Sequence, residues 1–275
     1  MELGPCSNRI YLMKFPRCKG QSSAEDFVKK LLALAVKGNY TKIFAKVPSK
    51  FSAVFLKNGF SQEAKIPSYY KNGQDCIFLA CYLDKKRARE TKAKTYDKIL
   101  ALAKAKRRGK LKPLEKIFCL AHCQNKDAKE LAALYRKVFD TYPFPIFNPK
   151  YLQKTMRTHI DYFCVKTTGG NPVDEVYTAA ASCEKDIANK AVEMTDFATL
   201  SSYLRRGLAA RLLRYMETQM RKQKMKTAFT IARAASAGAN IIFAKAGYIF
   251  CGRLKNNTNI SGGIESMNVW YKKLR

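Results

Sequence analysis

Residues 193–213, Glu-Met-Thr-Asp-Phe-Ala-Thr-Leu-Ser-Ser-Tyr-Leu-Arg-Arg-Gly-Leu-Ala-Ala-Arg-Leu-Leu, constrain this chain more than any other stretch. The first part reads as a buried strand and the last part as the opening of a helix, with Arg205, Arg206 and Gly207 at the joint. A strand that feeds a glycine-bearing turn and then a helix leaves several backbone N–H groups unpaired and the positive end of the helix dipole facing outward. Such a corner is a phosphate seat.

The rest of the chain alternates strands and helices around that corner. In the first half, apolar spacing predicts strands at 9–15, 42–47, 60–66 and 76–82, with helices at 24–37 and 48–56. From 84 to 112 the composition turns to Lys, Arg and Ala. This segment reads as a linker, helical around 96–106, with Arg107-Arg108-Gly109-Lys110 solvated. In the second half strands are expected at 116–121, 162–166, 175–183, 191–200, 228–231, 248–252 and 265–271. Helices are expected at 127–139, after Asn148-Pro149, after Gly207 and at 236–246, and Gly169-Gly170-Asn171-Pro172 separates two strands. The order gives an α/β (α+β) mixed sheet with helices on its faces, divided as 1–84, 85–112 and 113–275. Residues 44–60 (strand, helix, Asn-Gly-Phe) parallel residues 229–248 (strand, helix, Ala-Gly-Tyr), an internal repeat. The first half has no counterpart of the Arg-Arg-Gly turn, so it is expected to carry no cofactor seat.

Composition limits the function classes. Lys and Arg outnumber Asp and Glu 52 to 21, a formal charge of +31, spread along the chain without zinc-finger spacing or a repeated aromatic-basic element. A solvated basic surface is expected in preference to specific nucleic-acid binding. The nine cysteines have irregular spacing, which fits a reducing compartment, and Cys119, His122 and Cys123 lack the second cluster that a metal site needs. Without an apolar run of roughly 18 residues or a leader-like N-terminus, a cytoplasmic protein with no membrane partner is expected.

The strand and turn can be compared with a known motif. Glu-Met-Thr-Asp-Phe-Ala-Thr followed by Arg-Arg-Gly-Leu-Ala resembles the acetyl-CoA motif of the GNAT N-acetyltransferases, Gln/Arg-x-x-Gly-x-Gly/Ala. Gly207 and Ala209 stand at its last two fixed positions, and Leu204 stands where the family has Gln or Arg. The element order of 113–275 also resembles the acyl-CoA N-acyltransferase fold of that family, preceded here by a partial GNAT-like domain. A narrower resemblance, to the beta-lysine N6-acetyltransferases, lies in Met194-Thr195-Asp196-Phe197-Ala198-Thr199, in Asn256-Asn257-Thr258-x-Ile260 and in residues 262–272. It implies a small diamino acid acceptor, a functional link to a lysine 2,3-aminomutase, and a compatible solute as product. Acetylation of a polyamine, a protein lysine or a protein N-terminus is the alternative within the family, and a non-catalytic basic binding module lies outside it.

The resemblance also implies site residues. The backbone of Phe197, Ala198 and Thr199 would pair with the pantetheine arm, and an N–H there would face the thioester oxygen. The N–H groups of Arg205, Arg206, Gly207, Leu208, Ala209 and Ala210 would cradle the pyrophosphate. A lysine-type amine with a pKa of ~10.4 needs a base, and Glu193 stands where GNAT enzymes with a strand glutamate carry it. Asp196 is three residues on, so strict alternation turns it to the opposite face unless a bulge intervenes. Phe243 stands where many GNAT enzymes have a tyrosine acid. Tyr203, Tyr248 or Tyr271 would substitute, or the thiolate would leave unaided. Asn240, Asn257, Glu265, Ser266 and Asn268 are the polar groups expected to hold the acceptor, Trp270 is expected in the core, and no metal is expected.

Overall fold

Alternating burial builds two hydrogen-bonded halves that meet edge to edge in the computed structural model, which describes residues 1–4, 6–106, 109, 111, 113–167 and 175–274. The first half comprises β1 (Glu2–Gly4), β2 (Arg9–Leu12), α1 (Gln21–Lys37), β3 (Lys42–Pro48), α2 (Ser52–Lys57), β4 (Ser61–Ile66) and β5 (Cys76–Tyr82). Two helices, α3 (Lys85–Ala88) and α4 (Ala93–Ala105), form the joint. The second half runs β6 (Phe118–His122), α5 (Ala128–Val138), α6 (Pro149–Met156), β7 (Ile160–Thr167), β8 (Tyr177–Asp186), β9 (Ala191–Thr199), α7 (Leu208–Lys222), β10 (Thr227–Arg233), α8 (Ala237–Lys245), β11 (Ile249–Ile260) and β12 (Gly263–Lys273). Of the run expected to be solvated at 107–110 only Gly109 is described, and the Gly169-Gly170-Asn171-Pro172 turn lies outside the described residues.

Among the described residues all twelve strands join one sheet, in the order β1-β2-β3-β5-β4-β11-β12-β10-β9-β8-β7-β6. Outward from the central β4/β11 contact, β5, β3, β2 and β1 on one side mirror β12, β10, β9 and β8 on the other. The parallel pairs match as well, β2 with β3 and β9 with β10. The internal repeat is therefore wider than the 44–60 and 229–248 segments. The two copies differ at the helix entry. Gly20 before α1 is extended (φ −173°), whereas Gly207 before α7 is left-handed (φ 76°).

Helical spacing explains the packing of α1, which buries Ala24, Val28, Leu31 and Ala35, and of α7, which buries Leu208, Leu212, Leu213, Met216 and Met220. Glu217, buried among the α7 residues, is held by Lys272 Nζ at 2.8 and 2.9 Å. Trp270 is buried, as expected.

β11 exceeds the expected 248–252 strand. Its polar continuation, Lys255-Asn256-Asn257-Thr258-Asn259, lacks an apolar alternation; the ladder to β12 breaks after Leu254 and resumes at Thr258↔Glu265 and Asn259↔Ile264, and the run forms the seam between the halves. Arg9 Nη1 donates to the Asn257 carbonyl at 2.7 Å and to Thr258 Oγ1 at 2.8 Å. Asn259 Nδ2 donates to the Cys6 carbonyl at 3.0 Å, and Asn256 Nδ2 donates to the carbonyls of Arg87 and Arg89. Buried Lys42 adds a bond to the Lys255 carbonyl at 2.7 Å and an ion pair to Glu63 at 2.9 Å.

At the seam, Gly252 pairs with Ala64, and a Cβ on Gly252 would lie 2.1 Å from the Glu63 carbonyl oxygen. A backbone atom yields only by parting the strands, and φ of +144° adds strain for an L side chain. Gly252→Ala is expected to cost at least about 2 kcal/mol and to lower the thermal midpoint by several degrees, as read by calorimetry.

Candidate active site

The parallel pairing of β9 and β10 covers Ala191↔Thr227, Val192↔Ala228 and Glu193↔Phe229 and then stops. β10 stays on β12 as far as Arg233↔Met267, while β9 follows β8. The strands splay, and from Met194 onward the edge of β9 toward β10 has no strand partner. A cavity of about 560 Å³ occupies the opening, a size typical of small-molecule sites. Its walls come from β9, β10, the starts of α7 and α8, the loop after α5 (Tyr142, Pro143, Phe144), and, from the first half, Arg9, Tyr11, Met13 and Phe44.

Glu193 and Asp196 both line this cavity. The alternation that separates them is broken by a bulge: the register jumps between Ala180↔Ala198 and Ser182↔Thr195, and Asp196 takes a left-handed φ of 57°. Asp196 is then held by Tyr142, whose hydroxyl donates to Oδ1, and by Ser182 Oγ, which donates to Oδ2 at 2.5 Å. Burial raises the Asp196 pKa even though these hydroxyls oppose the shift. Burial and then the neighbouring Glu184 raise the Glu193 carboxyl to about 8, against the opposing pull of Lys46 and Arg9. Glu184 lines the same cavity, so three neighbouring carboxyl groups line it in a chain of net charge +31.

The corner past β9 has the geometry of an anion seat. Leu208, Ala209 and Ala210 form the first turn of α7, where N–H groups lack an i−4 carbonyl, while Arg211 N already bonds the Gly207 carbonyl at 3.0 Å. Arg205 (φ 65°) and Gly207 (φ 76°) both turn left-handed to bring the backbone around. Arg206 rests on the rings of Phe118 and Tyr203, 3.7 Å from Glu115, whereas Leu204 is exposed at the cavity wall. Phe197 and Thr199 line the cavity beside the open β9 edge, and Ala198 is buried beneath it.

Residues 128–248 match the Acetyltransferase (GNAT) family. Over 272 residues, 99% of this chain and 95% of the relative, the chain is 37% identical to a beta-lysine N(6)-acetyltransferase of Methanococcus maripaludis. The chain belongs to the GNAT family of N-acetyltransferases. It is also 29% identical over 271 residues to a beta-lysine N(6)-acetyltransferase of Methanosarcina mazei, covering 91% of this chain and 97% of that one. An N-acetyltransferase of Bacillus subtilis, YodP, is 30% identical over 245 residues, 89% of this chain and 86% of its own length. These relatives span the first half as well as the GNAT match.

Within this GNAT enzyme several expected site residues stand apart from the cavity. Asn240, Glu265, Ser266 and Asn268 do not line it. Asn240 donates to the carbonyls of Arg233 and Ser236 and accepts from Asn268 Nδ2 at 2.8 Å and Trp270 Nε1 at 3.0 Å, so its amide is fully used. Asn268 Oδ1 accepts from Arg253 Nε, and Ser266 Oγ accepts from Asn256 N at 2.9 Å. Glu265 receives two bonds from Arg233, at 2.7 and 2.9 Å. These polar groups lock β10, α8, β11 and β12 together. Of the five, Asn257 alone lines the cavity.

None of Tyr203, Tyr248 and Tyr271 lines the cavity either. Tyr203 packs on Phe118, and Tyr248 is buried against Phe243, which lines the cavity and meets Phe197 edge-on at 5.4 Å. Sequence reasoning missed Tyr142 and Arg9. The aromatic, proline-rich run Thr141-Tyr142-Pro143-Phe144-Pro145 was the one available signal for the former. No local pattern marked Arg9. Among the described residues no group of three or more His, Cys, Asp or Glu is placed to hold a metal ion, and no helix is long and apolar enough to cross a membrane.

Proposed function

We propose that this GNAT enzyme transfers acetyl from acetyl-CoA to the N6 amine of beta-lysine, giving N6-acetyl-beta-lysine. The similarity to two relatives named for that reaction carries the reading, because it runs through the first half, and that half supplies one wall of the cavity. The fit to acetyl-CoA is supported by the open β9 edge, by the first turn of α7 and by the left-handed Gly207.

Acetyl-CoA supplies an activated acyl group, at which the amine forms its new C–N bond as the C–S bond breaks. The chain's own residues prepare the amine. Glu184, Glu193 and Asp196 draw the distal ammonium toward them, and Glu193 takes its proton directly or through water. A carboxylate with a raised pKa is the stronger base, since the gap to the ~10.4 of a lysine-type ammonium narrows. Tyr142 and Ser182 keep Asp196 oriented beside it. An N–H on the open edge at Phe197, Ala198 or Thr199 meets the developing oxyanion, and the backbone from Arg205 to Ala210 holds the pyrophosphate. With Phe243 at the position of the customary acid, coenzyme A leaves as the thiolate, whose ordinary pKa of ~8.5 makes it a fair leaving group without a tyrosine proton donor, and it takes a proton from solvent afterwards.

Acetylation removes one positive charge from beta-lysine and leaves a zwitterion of no net charge, a suitable property for a compatible solute. A lysine 2,3-aminomutase would supply the acceptor, and the free cysteines fit a cytoplasmic enzyme. Residues 1–84 are read as a partial GNAT-like domain without a cofactor seat, a reading that the mirrored strand order supports. Proton NMR of the product tests the reaction: acetyl on N6 alone is expected, and acetyl on N3 would contradict the orientation.

A further inference from the structure

We propose that Arg9 and Asn257 form the head-group subsite of the acceptor, Arg9 taking the carboxylate and Asn257 the amine beside it, so that the first half sets acceptor specificity. This rests on the diamino acid reading above.

Arg9 is only 3% exposed, yet among the described residues no carboxylate lies within hydrogen-bonding distance of it. Nη1 is used by two neutral oxygens, those of Asn257 and Thr258, and the nearest acid, Glu2, is 4.0 Å from Nη2. Nε is buried without a partner. The guanidinium rests over the rings of Tyr11 and Phe44, at 5.2 and 5.6 Å. Glu2 offsets part of the burial of this cation from 4.0 Å, but it makes no hydrogen bond to the guanidinium, which keeps an unused buried donor. Asn257, 1% exposed, has the complementary deficiency, a buried Oδ1 that accepts nothing. An unpaired donor and an unpaired acceptor thus sit side by side in one cavity wall, the combination that an amino acid head group satisfies.

Arg9 lines the same cavity as the carboxyl groups of Glu184, Glu193 and Asp196, and lies near enough to Glu193 for the two charges to interact. A diamino acid placed with its carboxylate at Arg9 presents its distal amine to the carboxyl cluster, which also accounts for acetylation at N6. A diamine lacking the carboxylate sets a second ammonium against Arg9 and is disfavoured.

The test compares beta-lysine with 1,4-diaminopentane, which is beta-lysine without its carboxylate. Arg9→Gln is expected to lower kcat/KM for beta-lysine about 100-fold, mostly through KM, and to leave 1,4-diaminopentane unchanged or improved. Equal losses on both substrates, or no loss on beta-lysine, would overturn the proposal and make Arg9 a seam residue only. Arg9→Lys keeps the charge without the planar fork and serves the same comparison if Arg9→Gln does not fold: a loss confined to beta-lysine is expected, and an equal loss contradicts. Should the native enzyme ignore beta-lysine, the acceptor reading fails by itself. The subsite is then tested on lysine against 1,5-diaminopentane by the same ratio, and a ratio that Arg9→Gln leaves unchanged overturns it.

Discussion

Glu193→Gln is expected to lower kcat/KM by roughly 10²- to 10⁴-fold, the range for loss of a positioned general base. The pH dependence separates this from a packing effect. The carboxyl is raised to about 8, so activity of the native enzyme should climb as pH passes through that value and the base ionises. The Gln variant should lose this inflection and keep only the slow rise that comes from the amine itself. Stability should move the opposite way. The folded state holds the Glu193 proton to a higher pH than the unfolded chain, so native stability falls as pH rises from the ordinary carboxylate range toward 8. Glu193→Gln abolishes that loss, and its Tm should exceed that of the native protein at pH 8 and approach it near pH 4.5. Full activity across pH would remove Glu193 as the base.

Gly207→Val should remove acetyl-CoA binding. At φ 76° a β-branched residue is strained by about 1–3 kcal/mol, and on the proposed reading its side chain would crowd the N–H groups that cradle the pyrophosphate. A Cβ there meets no other atom within 4 Å, so the fold itself has room for it and the damage is concentrated at the seat. The Kd for acetyl-CoA should rise at least about 100-fold by titration calorimetry. The Tm increase that acetyl-CoA gives the native enzyme should vanish in the variant. Retention of that Tm increase would mean that the pyrophosphate lies elsewhere.

The corner was legible in the sequence because a strand, a left-handed glycine and a helix start are local, and each is written in adjacent residues. Glu193 stands on that same strand and lines the cavity, as its place there led one to expect. What the chain hides is where polar side chains spend their hydrogen bonds. Asn240 and Asn268 read as recognition groups, yet they bond to each other across 28 positions. The polar run at 256–259, equally suggestive of a ligand site, is chiefly the seam that binds the two halves, with Asn257 facing the cavity as well. Arg9 meets Asn257 across 248 positions and Tyr142 meets Asp196 across 54, separations that no periodicity encodes. The bulge at Asp196 gave no signal because a left-handed aspartate looks like any other strand residue. It nevertheless decides that two carboxyl groups share one cavity.

The seat, the carboxyl cluster and the wall from the first half together describe an enzyme for a small diamino acid. Thiol release from acetyl-CoA, measured side by side with beta-lysine, lysine and spermidine, tests this most directly. The highest kcat/KM is expected on beta-lysine, with spermidine far below it. Turnover of spermidine with none on beta-lysine would contradict the account.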